Sequence, residues 1–410
     1  MALPPSRLPG PLRALENRDF RLFTAGQLVS LIGTWMQSVA QSWLVLELTN
    51  SPFRLGLVGT LQFLPMLLLS FFAGVLADRF SKRRLLITTQ SVMAVQALAL
   101  AALVALGHVQ YWHVLIMATV YGLANTLDIP ARQAFVAEMV GKESLVSAIA
   151  LNSAVFNNGA RVVGPAAAGL AIARWGTATA FAVNAVSFIA VIAALIAMKT
   201  EGAPRRTGDR KMRSEIAEGI NYALQTPRIL LVLFLVLFVS VFLFNYNVTI
   251  PLYARNALGE DAHGFGLLMA ALGAGAVGGA MALAMLGGGR PAIRALLAPA
   301  LVLGLATASL AIITSFGLAA AVLVVVGFTG IFVMAGANTS HQLTVPDELR
   351  GRIMSLHMMV FAGMAPFGAF MVGSLAERFG IRTTLAVAGI AGLVSVAGLS
   401  IWWRLRRRPK

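Results

Sequence analysis

Three ionisable side chains stand inside long apolar runs of this chain, where a charge is hardest to keep: Asp128, Arg132 and Arg161. An ionisable group in a hydrocarbon setting costs at least about 2.5 kcal/mol, so residues of this kind are functional by default. Asp128 and Arg132 are four residues apart, one helical turn, and can pair on a shared face. A carboxylate so placed can take up and release a proton when its surroundings change. Two readings stay open for it: a proton-carrying site, with Arg132 as its partner, or a permanent ion pair that braces the structure. Arg161 precedes Gly164-Pro165-Ala166-Ala167-Ala168-Gly169. Its guanidinium cannot be deprotonated, so it suits holding an acidic ligand or answering a protonation nearby. Pro165 frees a carbonyl four residues back, which is that of Arg161.

A second cluster is the basic knot Gly74-Val75-Leu76-Ala77-Asp78-Arg79-Phe80-Ser81-Lys82-Arg83-Arg84, one carboxylate among four cations between two apolar runs. It reads as a tight turn between helices. Asp78 at the end of one helix can cap the free N–H groups at the start of another and meet that helix's positive dipole end. The run that begins near Arg352 is the expected target. The cations either share this gate or only fix topology and bind lipid headgroups. The matching stretch Gly287-Gly288-Gly289-Arg290-Pro291 has no carboxylate, so the gate is asymmetric.

Uncharged polar residues form a third set. Gln27, Ser30, Thr34, Gln37 and Gln41 recur at three- and four-residue spacing, one polar helix face. Asn125, Asn152, Asn158, Asn245, Asn247, Asn338 and Gln342 add groups on runs expected to face a central cavity, and Met358, Met359, Phe361 and Met364 supply an adaptable apolar wall. Such a lining suits bulky, partly apolar compounds. For any one Asn or Gln, bonding between helices is an equal alternative.

The elements that must carry these groups are membrane helices. Of 410 residues, 58% are hydrophobic and only 12% charged, and the mean hydropathy is +0.80; no soluble globule has this composition. A bilayer core needs about 20 apolar residues per helix. Helices apolar all round show no useful periodicity, so breaks in hydrophobicity set the limits. They predict twelve spans: 20–48, 55–77, 85–106, 112–133, 146–173 and 178–198, then 229–252, 264–286, 293–314, 318–342, 353–375 and 384–403. An even count puts both termini on one side. That side carries 25 of the 32 Lys and Arg, so it is cytoplasmic by the positive-inside rule. The net charge of +16 thus reflects topology and anionic lipid, and nucleic-acid binding is not expected. No removable signal peptide is expected, since residues 1–19 are polar and the first apolar run is too long. With no Cys and five scattered His, neither disulfides nor a metal centre nor any cofactor is predicted.

The chain also repeats itself. Ala124-Asn125-Thr126 recurs as Ala337-Asn338-Thr339, Gly56 as Gly266, Pro165 as Pro366, and Trp175-Gly176 as Phe379-Gly380. The shift is near half the chain each time, which predicts two parallel six-helix halves. The expected domains are a segment 1–19, an N-terminal half 20–198, a charged linker 199–228, a C-terminal half 229–403 and a basic tail 404–410. Within the linker, Ser214–Leu224 reads as an amphipathic surface helix with a Ser cap.

The knot resembles the loop between the second and third helices of major facilitator superfamily transporters. Asn17-Arg18-Asp19-Phe20-Arg21, Gly26-Gln27, Gly33-Thr34-Trp35-Met36, Trp43-Leu44-Val45-Leu46, Asp128-Ile129-Pro130-Ala131-Arg132-Gln133-Ala134-Phe135 and Pro346-Asp347-Glu348-Leu349-Arg350-Gly351-Arg352-Ile353-Met354-Ser355 resemble its enterobactin-exporter-like branch. The resemblance, from about residue 17 to 375, implies an all-α membrane protein with the twelve-helix, two-half major facilitator fold. It implies proton-driven efflux of a drug or siderophore-like compound by alternating access, from the inner membrane, as a monomer. Its partners would be a small-molecule substrate, protons and membrane lipids. An importer of the same fold is the alternative, with a channel or membrane-embedded enzyme further off. Gly74, Asp78, Arg79 and Arg83 of the knot, with Arg352 near the target helix start, make up the expected gate. The usual glycine of the knot is Ser81 here, which predicts some strain in the turn.

Overall fold

A computed structural model describes residues 10–151, 158–202, 212–285 and 289–406, with some side chains inside these ranges left out of account. Among the described residues the chain is helical throughout, with no strand. The helices before the linker are α1 (Arg18–Thr49), α2 (Pro52–Arg79), α3 (Lys82–Ala105), α4 (Tyr111–Leu151), α5 (Asn158–Trp175) and α6 (Thr177–Ala197). After α7 (Met212–Gln225), in the linker, come α8 (Pro227–Phe238), α9 (Tyr246–Leu252), α10 (Ala262–Met285), α11 (Ile293–Ser309), α12 (Phe316–Thr344), α13 (Asp347–Gly363) and α14 (Ala365–Arg406). Eight helical stretches among the described residues are long and apolar enough to cross a membrane.

Short connections make successive helices antiparallel. The knot at Phe80–Ser81 and the α6–α7 linker therefore share one end of the bundle, here the linker end; the Asn50–Ser51 turn and Gly176 mark the distal end. Local chemistry sets these turns. Asn50 adopts the left-handed conformation at the close of α1, and Ser51 accepts the Arg54 N–H at the start of α2, where Pro52 stands in the first turn. Positive φ at Gly141 and Gly380 breaks α4 and α14, each of which is two helices meeting at a kink.

Several expected limits shift. The expected span 229–252 is interrupted: α8 passes into a π-helical turn (Val239–Leu243), breaks at Phe244–Asn245, and α9 ends in a second π turn (Tyr253–Leu258). Likewise 353–375 is broken at Met364, between α13 and α14. The linker helix is described from Met212, and the side chain of Ser214, the expected cap, lies outside the described residues. Ser81 takes φ −59°, an ordinary conformation, so the glycine of the family pattern is not required here. Its hydroxyl instead donates to the Glu201 carbonyl at 2.8 Å.

The linker end of the early helices is fastened by polar side chains. Asn17 caps α1 through the Phe20 N–H and donates to the Met139 carbonyl at 2.7 Å. Asp19 accepts from the Lys199 and Thr200 N–H groups and the Thr200 hydroxyl at 2.7–3.0 Å. Burial pushes its carboxyl upward, but those hydrogen bonds and the Arg18 charge together hold it below the usual carboxylate range. Arg83 donates to the Leu195 and Ile196 carbonyls, both at 2.6 Å, satisfying the open C-terminus of α6. Lys82 is fully buried and pairs with Glu138 at 3.2 Å.

The helices before and after the linker are joined along the distal part of the bundle. Two contacts are backbone on backbone. A Cβ on Gly56 of α2 would lie 2.8 Å from the Cα of Gly373 of α14, and one on Gly266 of α10 would lie 2.7 Å from the Cα of Gly169 of α5. Only glycine allows helix axes this close. Trp43 stacks on Phe265 with centroids 6.0 Å apart, and Ser42 donates to the Asn247 carbonyl at 3.1 Å.

Candidate functional site

Asp128 sits on α4 with no exposed side-chain surface. Its Oδ1 accepts from the Thr89 hydroxyl at 2.9 Å and the Gln90 amide at 2.8 Å, both from α3. Its Oδ2 is engaged by Arg132 Nη2, the pair expected from the four-residue spacing. Arg132 in turn donates from Nη1 to Gln27 Oε1 on α1 at 2.8 Å. One carboxylate thus ties three helices. Two buried polar atoms at its edge, Gln27 Nε2 and Gln90 Oε1, have no hydrogen-bond partner. A proton arriving at Oδ2 would end the ion pair and free Arg132 and Gln27 to repartner, leaving the bonds at Oδ1 in place.

Arg161 lies one helix away, on α5. Its guanidinium carbon stands 5.1 Å over the Trp35 ring of α1, a cation–π contact, and Tyr246 at the start of α9 lies nearby. The Tyr246 hydroxyl is buried without a hydrogen-bond partner. Phe244 packs on Tyr246 at 4.9 Å and on Phe361 at 5.6 Å between centroids. The Arg161 carbonyl freed by Pro165 is met by Gly273 of α10. The site therefore joins a fixed cation, an open phenol and three further aromatic rings, and draws them from both sides of the linker.

The polar residues divide. Gln37 is buried and accepts from the Asn184 amide at 2.7 Å. It is a joint between α1 and α6 and does not line a cavity, as had been expected. Gln41 donates to Gln62 of α2 at 2.9 Å. Asn245 is buried and its amide turns back to the Val241 carbonyl at 2.7 Å, steadying the broken helix. Asn338 accepts from Gln342 at 3.0 Å, with Gln342 exposed. Asn125 is half-buried on α4. The side chains of Asn158 and Asp78 and the whole of Asn152 lie outside the described residues. Gly74 faces open space, Arg79 is exposed, and Arg352 pairs with Glu218 of α7 at 2.6 Å. Arg83, expected at the gate, is a fixed fastening of α6.

Sequence reasoning missed one pairing. His341 of α12 and His357 of α13 bring their Nδ1 atoms to 3.1 Å, both rings buried. Read as scattered, they are separated by 16 residues and the break at Val345–Pro346. Only that break between two helices could have hinted at their meeting.

The helical bundle with its buried charged and aromatic groups is that of a membrane transporter. The whole architecture aligns with solved structures of carriers: a POT family transporter in complex with 5-aminolevulinic acid (TM-score 0.76, 9% identity, 96% of this chain and 97% of that one) and the nucleoside transporter NupG (TM-score 0.75, 10% identity, 94% and 99%). At that identity the likeness is one of fold. The chain belongs to the transmembrane secretion effector family of major facilitator superfamily transporters, whose model matches residues 9–409. It is 26% identical to the staphyloferrin A transporter of Staphylococcus aureus, over 90% of this chain and 93% of that protein. It is 27% identical to the multidrug efflux pump Tap of Mycolicibacterium fortuitum, over 92% of each. These are transporters and not enzymes.

Proposed function

We propose that this protein is a secondary carrier of twelve membrane helices in two halves, 20–198 and 229–403, that exports an amphiphilic small molecule in exchange for protons by alternating access. It works as a monomer among lipids of a bacterial inner membrane, with both termini in the cytoplasm and the distal end outside. The likeness to an efflux pump and to a siderophore transporter supports export of this kind of substrate. The observation that carries the coupling is Asp128, wholly buried, held by Thr89 and Gln90 of α3 and by Arg132 of α4, and linked through Arg132 to Gln27 of α1.

In this reading the proton adds to Asp128 Oδ2 and displaces Arg132. The bonds that tie α4 to α1 through Arg132 and Gln27 are then exchanged, and the helices are free to shift. Substrate sits against Arg161, Trp35, Tyr246, Phe244 and Phe361, with Asn125, Asn338, Gln41 and Gln342 as further polar contacts. The aromatic rings supply the apolar area, while Arg161 and the Tyr246 hydroxyl orient a polar group.

The test is uptake into inverted vesicles under an imposed pH gradient. Asp128→Asn should abolish uphill accumulation and keep substrate binding within a few-fold of wild type. Uphill transport surviving in Asp128→Asn would move the proton site elsewhere, with Glu47 and Glu138 next in line.

A further inference from the structure

The distal seam between α2 and α14 is built as a stripe. Along α14, Pro366, Ala369, Gly373 and Glu377 follow one another at three- and four-residue spacing, with Phe370 beside them, and all face α2. Thr60 donates to the Pro366 carbonyl at 3.2 Å, Gly56 sits against Gly373, and Phe53 meets Phe370 edge-on at 5.8 Å between centroids. At the outer end Glu377 Oε2 accepts from the Ser51 hydroxyl at 2.8 Å and from the Phe53 N–H at 2.9 Å. Ser51 Oγ in turn accepts the Arg54 N–H at 3.2 Å.

The first turn of α2 has no acidic residue of its own. A helix start carries unsatisfied N–H groups and a partial positive charge, and it is stabilised by a carboxylate. Here the carboxylate comes from 324 residues away in sequence, across the seam. The rest of the stripe has no charge. Glu377 is also exposed, so water can replace both bonds when the seam parts, and no buried charge is stranded. A cap meant only to hold the fold would lose nothing by coming from α2 itself. A cap that must form and break on each cycle needs this placement.

We propose that Glu377 is a latch: its carboxylate, bound to Ser51 and the Phe53 N–H, holds the distal face of the carrier closed, and its release accompanies distal opening. This rests on the two-half reading above. It is the counterpart, at the opposite face and with the helices exchanged, of the cap expected from Asp78 on the helix near Arg352. Glu377 is a positioning residue: it contacts neither Asp128 nor the aromatic site.

The chain has no Cys, so spin labels go where they are placed. One pair, Leu106→Cys with Ile312→Cys, reports on the distal end; another, Phe80→Cys with Met285→Cys, reports on the linker end. All four positions are at least 55% exposed. Pulsed electron–electron distance measurements in lipid nanodiscs then read both faces. Glu377→Gln should lower the ratio of distal-closed to distal-open molecules about three- to ten-fold, the scale of one charge and one hydrogen bond at a helix start. The distal distances lengthen while those at the linker end shorten. Ser51→Ala should shift both in the same direction by less, and Glu377→Asp should restore part of the wild-type ratio. A purely structural cap would instead lower the melting temperature with both distance distributions unchanged. Unchanged distances in Glu377→Gln would overturn the latch alone. Wild-type protein with a single fixed pair of distances, with and without a pH gradient, would overturn the rocking carrier and the latch together.

Discussion

In the proposed function, Arg161 is the residue on which substrate charge turns. Among the described residues it has a ring beneath it, at 5.1 Å in Trp35, and no carboxylate bonded to it. A guanidinium over an aromatic face keeps its charge and its in-plane donors, so it remains able to bind an anion. A cationic drug would meet repulsion there with nothing to offset it. On the proposed reading the preferred substrates are therefore neutral or acidic. Arg161→Gln should weaken binding of acidic compounds by about 1.5–3 kcal/mol, the value of a charge-assisted hydrogen bond, and of neutral analogues far less. Equilibrium binding of a matched acid and amide series to purified protein checks this. Equal losses for acidic, neutral and cationic compounds would mean that Arg161 only braces α5 against α1. Asp128 differs in kind. Its oxygens already have three donors, so what changes there is which groups share them.

At the scale of elements, the join between α1 and the exit of α6 has a defined pH dependence. The Asp19 carboxyl lies below its ordinary range in the folded protein because the ionised form holds Lys199 and Thr200. A lowered folded-state value contributes stability above the unfolded value of about 3.9, and that contribution is lost as pH falls through the folded one. Asp19→Asn should thus lower the thermal stability of detergent-solubilised protein by about 1–3 kcal/mol at pH 7. The gap to wild type should close in the most acidic buffers that keep the protein soluble; a gap independent of pH would contradict it. Much at this scale was legible in the sequence. The knot turns at Phe80–Ser81, and the kinks at Gly141 and Gly380 fall in the gaps 134–145 and 376–383 between expected spans, because turns interrupt the apolar runs locally. The π turns and the break at Phe244–Asn245 were not legible. Helices buried on all sides show apolar residues everywhere, and where such a helix yields depends on what packs against it. The aromatic site is hidden for the same reason: Arg161, Trp35, Tyr246 and Phe361 come from four helices, and no local spacing announces their meeting. Gln37 shows the reverse error. Its stripe on α1 was visible, but the partner that uses it, Asn184, is 147 residues away.

For the molecule as a whole, the expected gate at the linker end is the natural complement of the distal seam. Asp78 closes α2 within a stretch rich in cations, while Arg352 near the start of α13 is engaged by Glu218 of α7. Asp78→Asn should lower turnover several-fold at unchanged expression and insertion, read as initial rates of transport per molecule in proteoliposomes. Full rates in that variant would remove the gating reading of the knot. The distal seam has a property of its own, which follows from its paired glycines. Gly56 on Gly373 and Gly169 on Gly266 are contacts between main chains, and main chains have no rotamers to unlock. Interdigitated side chains would act as teeth, each needing to swing clear and each freezing again on return. Two smooth rails have neither delay. At those two crossings no side-chain torsion need change when the helices part, so in the proposed carrier the resistance to distal opening is concentrated in the Glu377 latch and in the ring contacts Phe53–Phe370 and Trp43–Phe265.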